Sequence, residues 1–441
     1  MHNTNLEAGL GVKGIYQTKV VENPLVSGLR LQAANAVGLP EHINYDGSAE
    51  KHVELPDFYR RLIDEELSKL VEENADTLSQ PCEKSLIKEE RAPANNLILD
   101  QGINLYFQGN GLETLFSRNA IGTGTTATVT DSGVITASTS GLSTTVTVSS
   151  SFFTAGMVGQ LIKFDSGEER YISSQTGTAC VVTVAVNIAA PTLFAVWAVN
   201  QTGLATETKR TDTYLTGTGN CGTTDVGNVR TLRRTFDHTA EVANQNYTEA
   251  GWSNTSTVGN NLFSRVLIAG GSVSVLIGQQ LRMVYDLVVT SGPAVSTAGF
   301  FSITGWPIAP ATTVAGNYIT NRHISGSVST SGLSLSGLVN PNNPAAVEIG
   351  TGSVLPPFGS SYVPGTSVNA STNTVIAYTL GSFTRQWQSG FDLTTANATN
   401  WRAISLAGAF VFIFNEAQTK ASTHTLTVRF SISMSRPLTN P

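Results

Sequence analysis

Thr425-Leu-Thr-Val-Arg-Phe-Ser-Ile-Ser-Met-Ser435 alternates almost without a break. Leu426, Val428, Phe430, Ile432 and Met434 fall on one side, while Thr425, Thr427, Arg429, Ser431, Ser433 and Ser435 fall on the other. A two-residue period describes a strand with one dry and one wet face, and no helix keeps such a stripe together. The wet side is hydroxyl rather than charge, and that choice recurs along the chain. Working outward, Ala409 to Phe414, Val375 to Phe383, Phe300 to Thr304, Leu281 to Thr290, Leu262 to Ile268 and Val229 to Asp237 read as further strands.

Charged residues make up 13 % of the 441 residues, about half of the ~25 % usual in globular proteins. Hydrophobic content is 40 % and there are 41 glycines, so the chain is long and apolar enough for several cores. Weak charge on a β-rich chain invites edge pairing, which burial in an oligomer or a larger particle would relieve. The net charge of −6 is concentrated, because residues 41–92 hold 14 acidic and 7 basic side chains and the remainder is close to neutral. No broad basic field exists, so nucleic-acid binding is not expected. Cys82, Cys180 and Cys221 are too scattered for a disulfide framework and are expected as free thiols. No secretion signal is read at the N-terminus, and no run is long enough for membrane insertion by a helix.

The expected fold class is mainly β: tandem β-sandwich and small-barrel domains preceded by an N-terminal arm and one long amphipathic acidic helix. Residues 1–40 form the arm, with extended stretches at Val12 to Val21 and Leu29 to Ala34. Residues 41–95 form an acidic helical docking segment. Its helix runs from Asp57 to about Leu78, with Phe58, Leu62, Ile63, Leu67, Leu70 and Val71 on one side and a Glu65–Lys69 pair on the other. Residues 96–126 form an anchor module of strand, short helix and glycine turn. Within it, Asn104-Leu-Tyr-Phe-Gln-Gly109 is close to a potyviral protease recognition site, with Ile103 where that site has Glu, and is read as a coincidence. Residues 127–200 form a small barrel of strands at Ala127 to Val129, Thr144 to Val148, Leu161 to Phe164, Arg170 to Ser174, Val181 to Val186 and Leu193 to Val199. Residues 201–441 form a large β-sandwich-like domain.

Catalytic patterns are sparse. His2, His42, His52, His238, His323 and His424 show no metal-ligand spacing, and His238 and His424 read as surface histidines. Gly122-Thr-Gly124 and Gly217-Thr-Gly219 lack a nucleotide-loop context. No metal and no cofactor is expected. Glycan cleavage needs two carboxylates across a groove, for which Glu348, Asp392 and Glu416 are the candidates in the large domain. Trp306, Trp387 and Trp401, with Arg385 nearby, are candidate contacts to a glycan or partner, against a core role for each indole. Phe58, Leu62, Leu67 and Leu70 on the helix and Arg230, Arg233 and Arg234 on one strand are candidate assembly contacts.

Asn96-Leu-Ile-Leu-Asp-Gln-Gly102 followed by Ile121-Gly-Thr-Gly-Thr-Thr126 resembles the N-terminal module of tailed-bacteriophage tail-fibre and related virion proteins. Phe153-Thr-Ala-Gly-Met-Val-Gly159 with Ser166-Gly-Glu-Glu-Arg-Tyr-Ile172 resembles the small β module of phage appendages. Stretches at Arg210 to Thr216, Arg233 to Asp237, Asn246 to Glu249 and Gly278 to Arg282 are similar to phage structural proteins. The likeness covers roughly 96–300 and the final strands; the helix from Asp57 departs from it. The resemblance implies a non-enzymatic virion protein, folded in the host cytoplasm, often trimeric and attached by its N-terminal part. It carries over no catalytic residue. The expected function is a tail fibre or adsorption appendage for viral attachment, whose partners are its own copies, other virion proteins and a host surface glycan. A collar, neck or capsid-decorating protein is the first alternative, and a glycan-degrading tailspike the second.

Overall fold

The alternation at Val12 to Val21 belongs to a strand, β1 (His2–Glu22), that extends well beyond it in the computed structural model. That structure describes residues 2–40, 43–78, 84–108, 116–217, 219–226, 229–259, 261–291, 302–303, 312–319, 328–329, 332–333, 347–353, 365–406 and 410–436. Val12, Tyr16 and Val20 of β1 are buried while Lys13, Gln17 and Lys19 lie half-exposed between them. Next come α1 (Pro24–Val37), α2 (Ala49–Glu54), α3 (Asp57–Glu73) and α4 (Ala75–Leu78). After them follow β2 (Leu86–Glu90), β3 (Ala94–Ile98), α5 (Asp100–Phe107) and β4 (Arg118–Gly122).

A small barrel is then inserted. Its strands are β5 (Val129–Asp131), β6 (Ala137–Ser138), β7 (Ser143–Val148), β8 (Leu161–Phe164), β9 (Glu169–Gln175), β10 (Ala179–Val186) and β11 (Phe194–Trp197). They run in the order β5-β11-β8-β9-β10-β7-β6, and an Ala137–Thr192 bridge brings β6 back to the start of β11, curling the sheet round on itself. Inside lie Phe153, Phe164, Phe194, Ile162, Ile172 and Val182. Every barrel strand expected from the sequence is found, within a few residues at its ends.

The chain returns through β12 (Glu207–Thr211), β13 (Tyr214–Leu215), β14 (Cys221–Val226), β15 (Val229–Asp237), β16 (Gln245–Tyr247), β17 (Glu249–Ser253), β18 (Leu262–Leu267), β19 (Val273–Val275) and β20 (Gln279–Ser291). The last part adds β21 (Ser302–Ile303), β22 (Thr312–Ile319), β23 (Val328–Ser329), β24 (Gly332–Leu333), β25 (Val347–Gly350) and β26 (Ser367–Asn369). It ends with β27 (Thr372–Val375), β28 (Thr384–Phe391), β29 (Ala398–Leu406), β30 (Phe410–Lys420) and β31 (Leu426–Ser435). The body sheet has the order β12-β4-β17-β18-β3-β1-β20-β15-β13, with β2 and β31 also on β1 and β28 on β31. A second sheet, β21-β22-β30-β29-β25-β26, shares its core: Val347, Ile349, Trp401 and Ile404 pack with Tyr16, Trp252, Phe263 and Tyr285. The fold is mainly β, with several curled sheets and few helices.

Three expectations for the N-terminal part are corrected. Residues 1–40 are not a separate arm, because β1 pairs antiparallel with β20 from Leu10 to Glu22 and parallel with β31 from His2 to Gly11. Leu29 to Ala34 is not extended but lies within α1. Asn23 caps that helix by accepting from the Leu25 N–H at 3.1 Å, Pro24 takes the first turn, and Gly38 closes it at φ 75°. The expected Glu65–Lys69 pair is replaced by Lys69–Glu66 at 2.8 Å, the i,i+3 neighbour on the same face. At Gly14 of β1 a Cβ would run into the Tyr285 hydroxyl, so glycine leaves room for the buried Tyr285 ring there.

The helices make a core of their own. Val26, Ala33 and Ala34 of α1 meet Ile63, Leu67 and Val71 of α3, with Leu55, Leu78 and Ile277 completing the cluster. Below it Glu22 and Arg30, each 1 % exposed, pair at 2.6 Å and tie α1 to the end of β1. Leu67 is thus internal and Leu70 packs against the same cluster; Leu62 is half-buried and Phe58 is 59 % exposed. Truncating a fully buried leucine costs about 2–5 kcal/mol. Leu67→Ala should therefore lower the urea midpoint of the purified chain markedly, while Phe58→Ala should leave it within error of the parent.

Candidate functional site

The barrel leaves and rejoins the body through two linkers, and one buried ion pair holds both. Glu249 of β17 and Arg265 of β18 lie side by side, fully buried, with Arg265 Nη2 2.7 Å from Glu249 Oε2. On the outgoing linker the Gly124 N–H donates to Glu249 Oε1 at 3.0 Å, and Arg265 Nη2 donates to Thr126 O at 2.7 Å. On the returning linker the N–H groups of Ala205 and Thr206 donate to the same carboxylate at 3.1 and 2.7 Å, and Arg265 Nη1 reaches Gln201 Oε1 at 2.8 Å. A carboxylate and a guanidinium taken out of water are tolerated only when their remaining donors and acceptors are met, as they are here. The Gly-Thr-Gly turn follows from this: a Cβ at Gly122 or Gly124 would collide with Glu249.

A second fastener joins barrel, body and C-terminal strand. Asp100, at the start of α5, accepts from the Tyr171 hydroxyl at 3.0 Å and from Arg436, just past β31. Arg436 also donates to Ile98 O at 2.8 Å and to Tyr171 Oη at 3.1 Å. Around these contacts runs a groove of about 510 Å3 between β8–β10 of the barrel, α5, and the loop before β28. Its floor is Ile103, Leu161 and Met434, and its rim carries Glu169, Arg170, Tyr171, Thr183, Phe383 and Arg436. Phe383 stands at φ 49°, a left-handed conformation that costs a side-chain-bearing residue about 1–3 kcal/mol and that clusters at functional sites. The loop bearing it is fixed by Asn104, whose Oδ1 accepts from the Tyr378 hydroxyl at 2.6 Å and the Gly381 N–H at 2.9 Å. Arg436 lies over the Phe383 ring, 5.6 Å from its centroid. Asn104–Phe107 of the hexapeptide resembling a protease site lie in α5, with Tyr106 in the body core.

The residues singled out from the sequence do not converge on this groove. Trp401 is 3 % exposed and its indole N–H donates to Ala396 O at 2.7 Å, so it completes the core instead of stacking on a sugar. Arg385 is buried. Trp306 and the side chain of Trp387 lie outside the described residues. In the arginine set, Arg233 makes a bidentate pair with Asp286 at 2.7 Å on the neighbouring strand. Arg234 points inward, donating to Phe116 O at 2.5 Å and lying over the Tyr214 ring. The side chain of Arg230 lies outside the described residues. Among the tailspike carboxylates, Asp392 is held well below the usual carboxylate range by the hydroxyl and amide donors of Thr394 and Thr395. Glu348 is half-buried on β25, and the side chain of Glu416 lies outside the described residues. Among the described residues no group of His, Cys, Asp or Glu could hold a metal, and no helix is long and apolar enough to cross a membrane. Sequence reasoning missed Arg170, Tyr171, Phe383 and Arg436, which meet only through the fold. Asp100 fell within the Asn96–Gly102 motif, and Arg170 and Tyr171 within Ser166–Ile172, but neither motif pointed to a shared site.

No protein-family model, curated protein or solved structure matches this chain.

His238 is corrected from surface to core. It is fully buried, and its Nε2–H donates to Asn119 Oδ1 at 2.7 Å, while Asn119 Nδ2 donates to Tyr16 Oη at 3.0 Å. Its Nδ1 has no hydrogen-bond partner. Burial first, and the nearby Lys209 second, hold its pKa well below 6.5. The unfolded chain therefore binds a proton near pH 6.5 that the native state refuses. This contribution to stability is present above that pH and is lost as the pH falls below it, with a slope of at most about 1.4 kcal/mol per pH unit. Urea midpoints measured from pH 7.5 to 5.5 should fall in the parent and fall less steeply in His238→Gln, which keeps a donor to Asn119.

Proposed function

We propose that the chain is a non-enzymatic structural protein of a tailed-bacteriophage virion, of the tail-fibre or adsorption-appendage type. The observation that supports this reading is the position of the residues that resemble such proteins. Asn96–Gly102 and Ile121–Thr126 flank the junction where the barrel is spliced into the body. Leu99 N–H donates to Phe263 O at 2.9 Å, Asp100 N–H to Val199 O at 2.9 Å, and Gly124 to Glu249. These residues do mechanical work, fixing one β module on another, which is what an attachment device under load requires. Burying ionic groups to fasten segments far apart in sequence favours one rigid arrangement. Copies of the chain, as a trimer, would attach to other virion proteins and offer their β surfaces to host glycans. Several weak contacts then add through effective concentration.

One feature of the fold favours a second reading, a collar, neck or capsid-decorating protein. The N-terminal strand is built into the body sheet rather than projecting as an attachment arm. Antibody labelling of purified particles in the electron microscope separates the two. Labelling at the appendages, with antibody blocking adsorption, is the expected result. Labelling round the neck or capsid without an effect on adsorption would favour the second reading, and absence of the chain from the particles would overturn both.

A further inference from the structure

We infer that the groove between barrel and body binds a saccharide unit bearing a carboxylate, with Arg170 as the cation that recognises the acid. The inference names the ligand class for the attachment role proposed above and rests on that reading for its biological setting; its chemistry stands on the groove alone.

Charge comes first. The carboxylate of Asp100 neutralises Arg436, and Lys163 stands 3.8 Å from Glu169. Arg170 has no carboxylate within ion-pair distance among the described residues. Its guanidinium is held by main-chain oxygens, Glu169 O at 2.7 Å and Ala185 O at 3.4 Å. Carbonyls fix its direction without cancelling its charge. The result is a cation with no direct carboxylate partner on the wall of a groove, although the Glu168 carboxylate lies close enough to feel its charge. A planar guanidinium in that state suits a carboxylate.

The other walls select the rest of the ligand. Ile103, Leu161 and Met434 make an apolar floor with the Phe383 ring beside it, fit for the C–H face of a sugar. The Thr183 hydroxyl stands on the rim for its O–H groups. The groove volume of about 510 Å3 falls in the range of small-ligand sites, ~300–1,000 Å3. A peptide adding as a strand would need an open sheet edge, and each strand here has a neighbour on both sides, although the β9–β10 pairing stops at Ile172–Val182, short of Arg170 and Thr183. Strand β9 lies between β8 and β10, β10 between β9 and β7, and β31 between β1 and β28. The strained backbone at Phe383 is explained if its ring must face the ligand.

The test is calorimetric titration of the full-length chain with oligomers of galacturonate, mannuronate and sialate. Methyl-esterified oligogalacturonate serves as the uncharged twin and oligoglutamate as the acidic peptide. At least one acidic saccharide should bind at least tenfold more tightly than the ester. Arg170→Gln should remove that preference, and Arg170→Lys, which keeps the charge, should retain part of it. Phe383→Leu should weaken acid and ester alike. The inference is overturned if none of the three acids binds, if acid and ester bind equally, or if oligoglutamate binds more tightly than every saccharide. It is also overturned if Arg170→Gln keeps the preference with a parental urea midpoint. Should Arg170→Gln not fold, the ester comparison and Arg170→Lys decide. Saccharide binding by a chain absent from particles would count against the attachment reading alone; a chain on particles that binds no acid would count against this inference alone.

Discussion

The parallel and antiparallel pairing of one strand organises the molecule. β1 is bonded along Leu10–Glu22 to β20, along His2–Gly11 to β31, at Gly14–Tyr16 to β3 and at Lys19–Glu22 to β2. Strands from the two ends of the sequence and from its middle thus share a single partner. Its buried residues, Val12, Tyr16 and Val20, are the part of the core against which Tyr285 and Leu281 pack. Long-range pairing of this kind is slow to form, since the loop-closure entropy is lost before the contacts are made. The body sheet is complete only when β31 has been added.

On that frame, charge is used for fastening. Glu249–Arg265 secures both linkers of the barrel, Glu22–Arg30 ties the helices to β1, and Asp237–Arg282 links β15 to β20 at 2.7 Å. Asp100 and Arg436 close the barrel against the C-terminal strand. Such pairs add little net stability over apolar packing but penalise every arrangement in which one partner is left alone. Arg170 stands apart from this pattern, because its partners are carbonyls.

Much of the β architecture was legible from the sequence. Barrel strands rich in Val, Ile and Phe were found within a few residues at their ends, although β5 shares only Val129 with the expected strand and β6 was not read. α3 was found from its apolar stripe but stops at Glu73 instead of near Leu78. The strand expected at Val375 to Phe383 is loop after Val375, and β28 and β29 were not read, since Thr384-Arg-Gln-Trp-Gln-Ser-Gly-Phe391 and its neighbour alternate too weakly in hydrophobicity. α1 was lost because Asn23-Pro24 reads equally as a break or as a cap, and only packing against α3 decides. The groove was out of reach for a different reason. Ile103, Arg170, Phe383 and Arg436 are scattered along the chain, and spacing says nothing of their meeting. Trp401 shows the converse error: an indole flanked by Asn and Arg looks exposed in sequence and is buried in the fold.

The central place of β1 is most directly tested by amide hydrogen exchange on the intact chain. Amides of residues 12–21 should be among the slowest to exchange, opening only with global unfolding and together with those of 281–290. Exchange of 12–21 ahead of the barrel strands, with 281–290 still protected, would show that β1 is an addition to the sheet and not its spine.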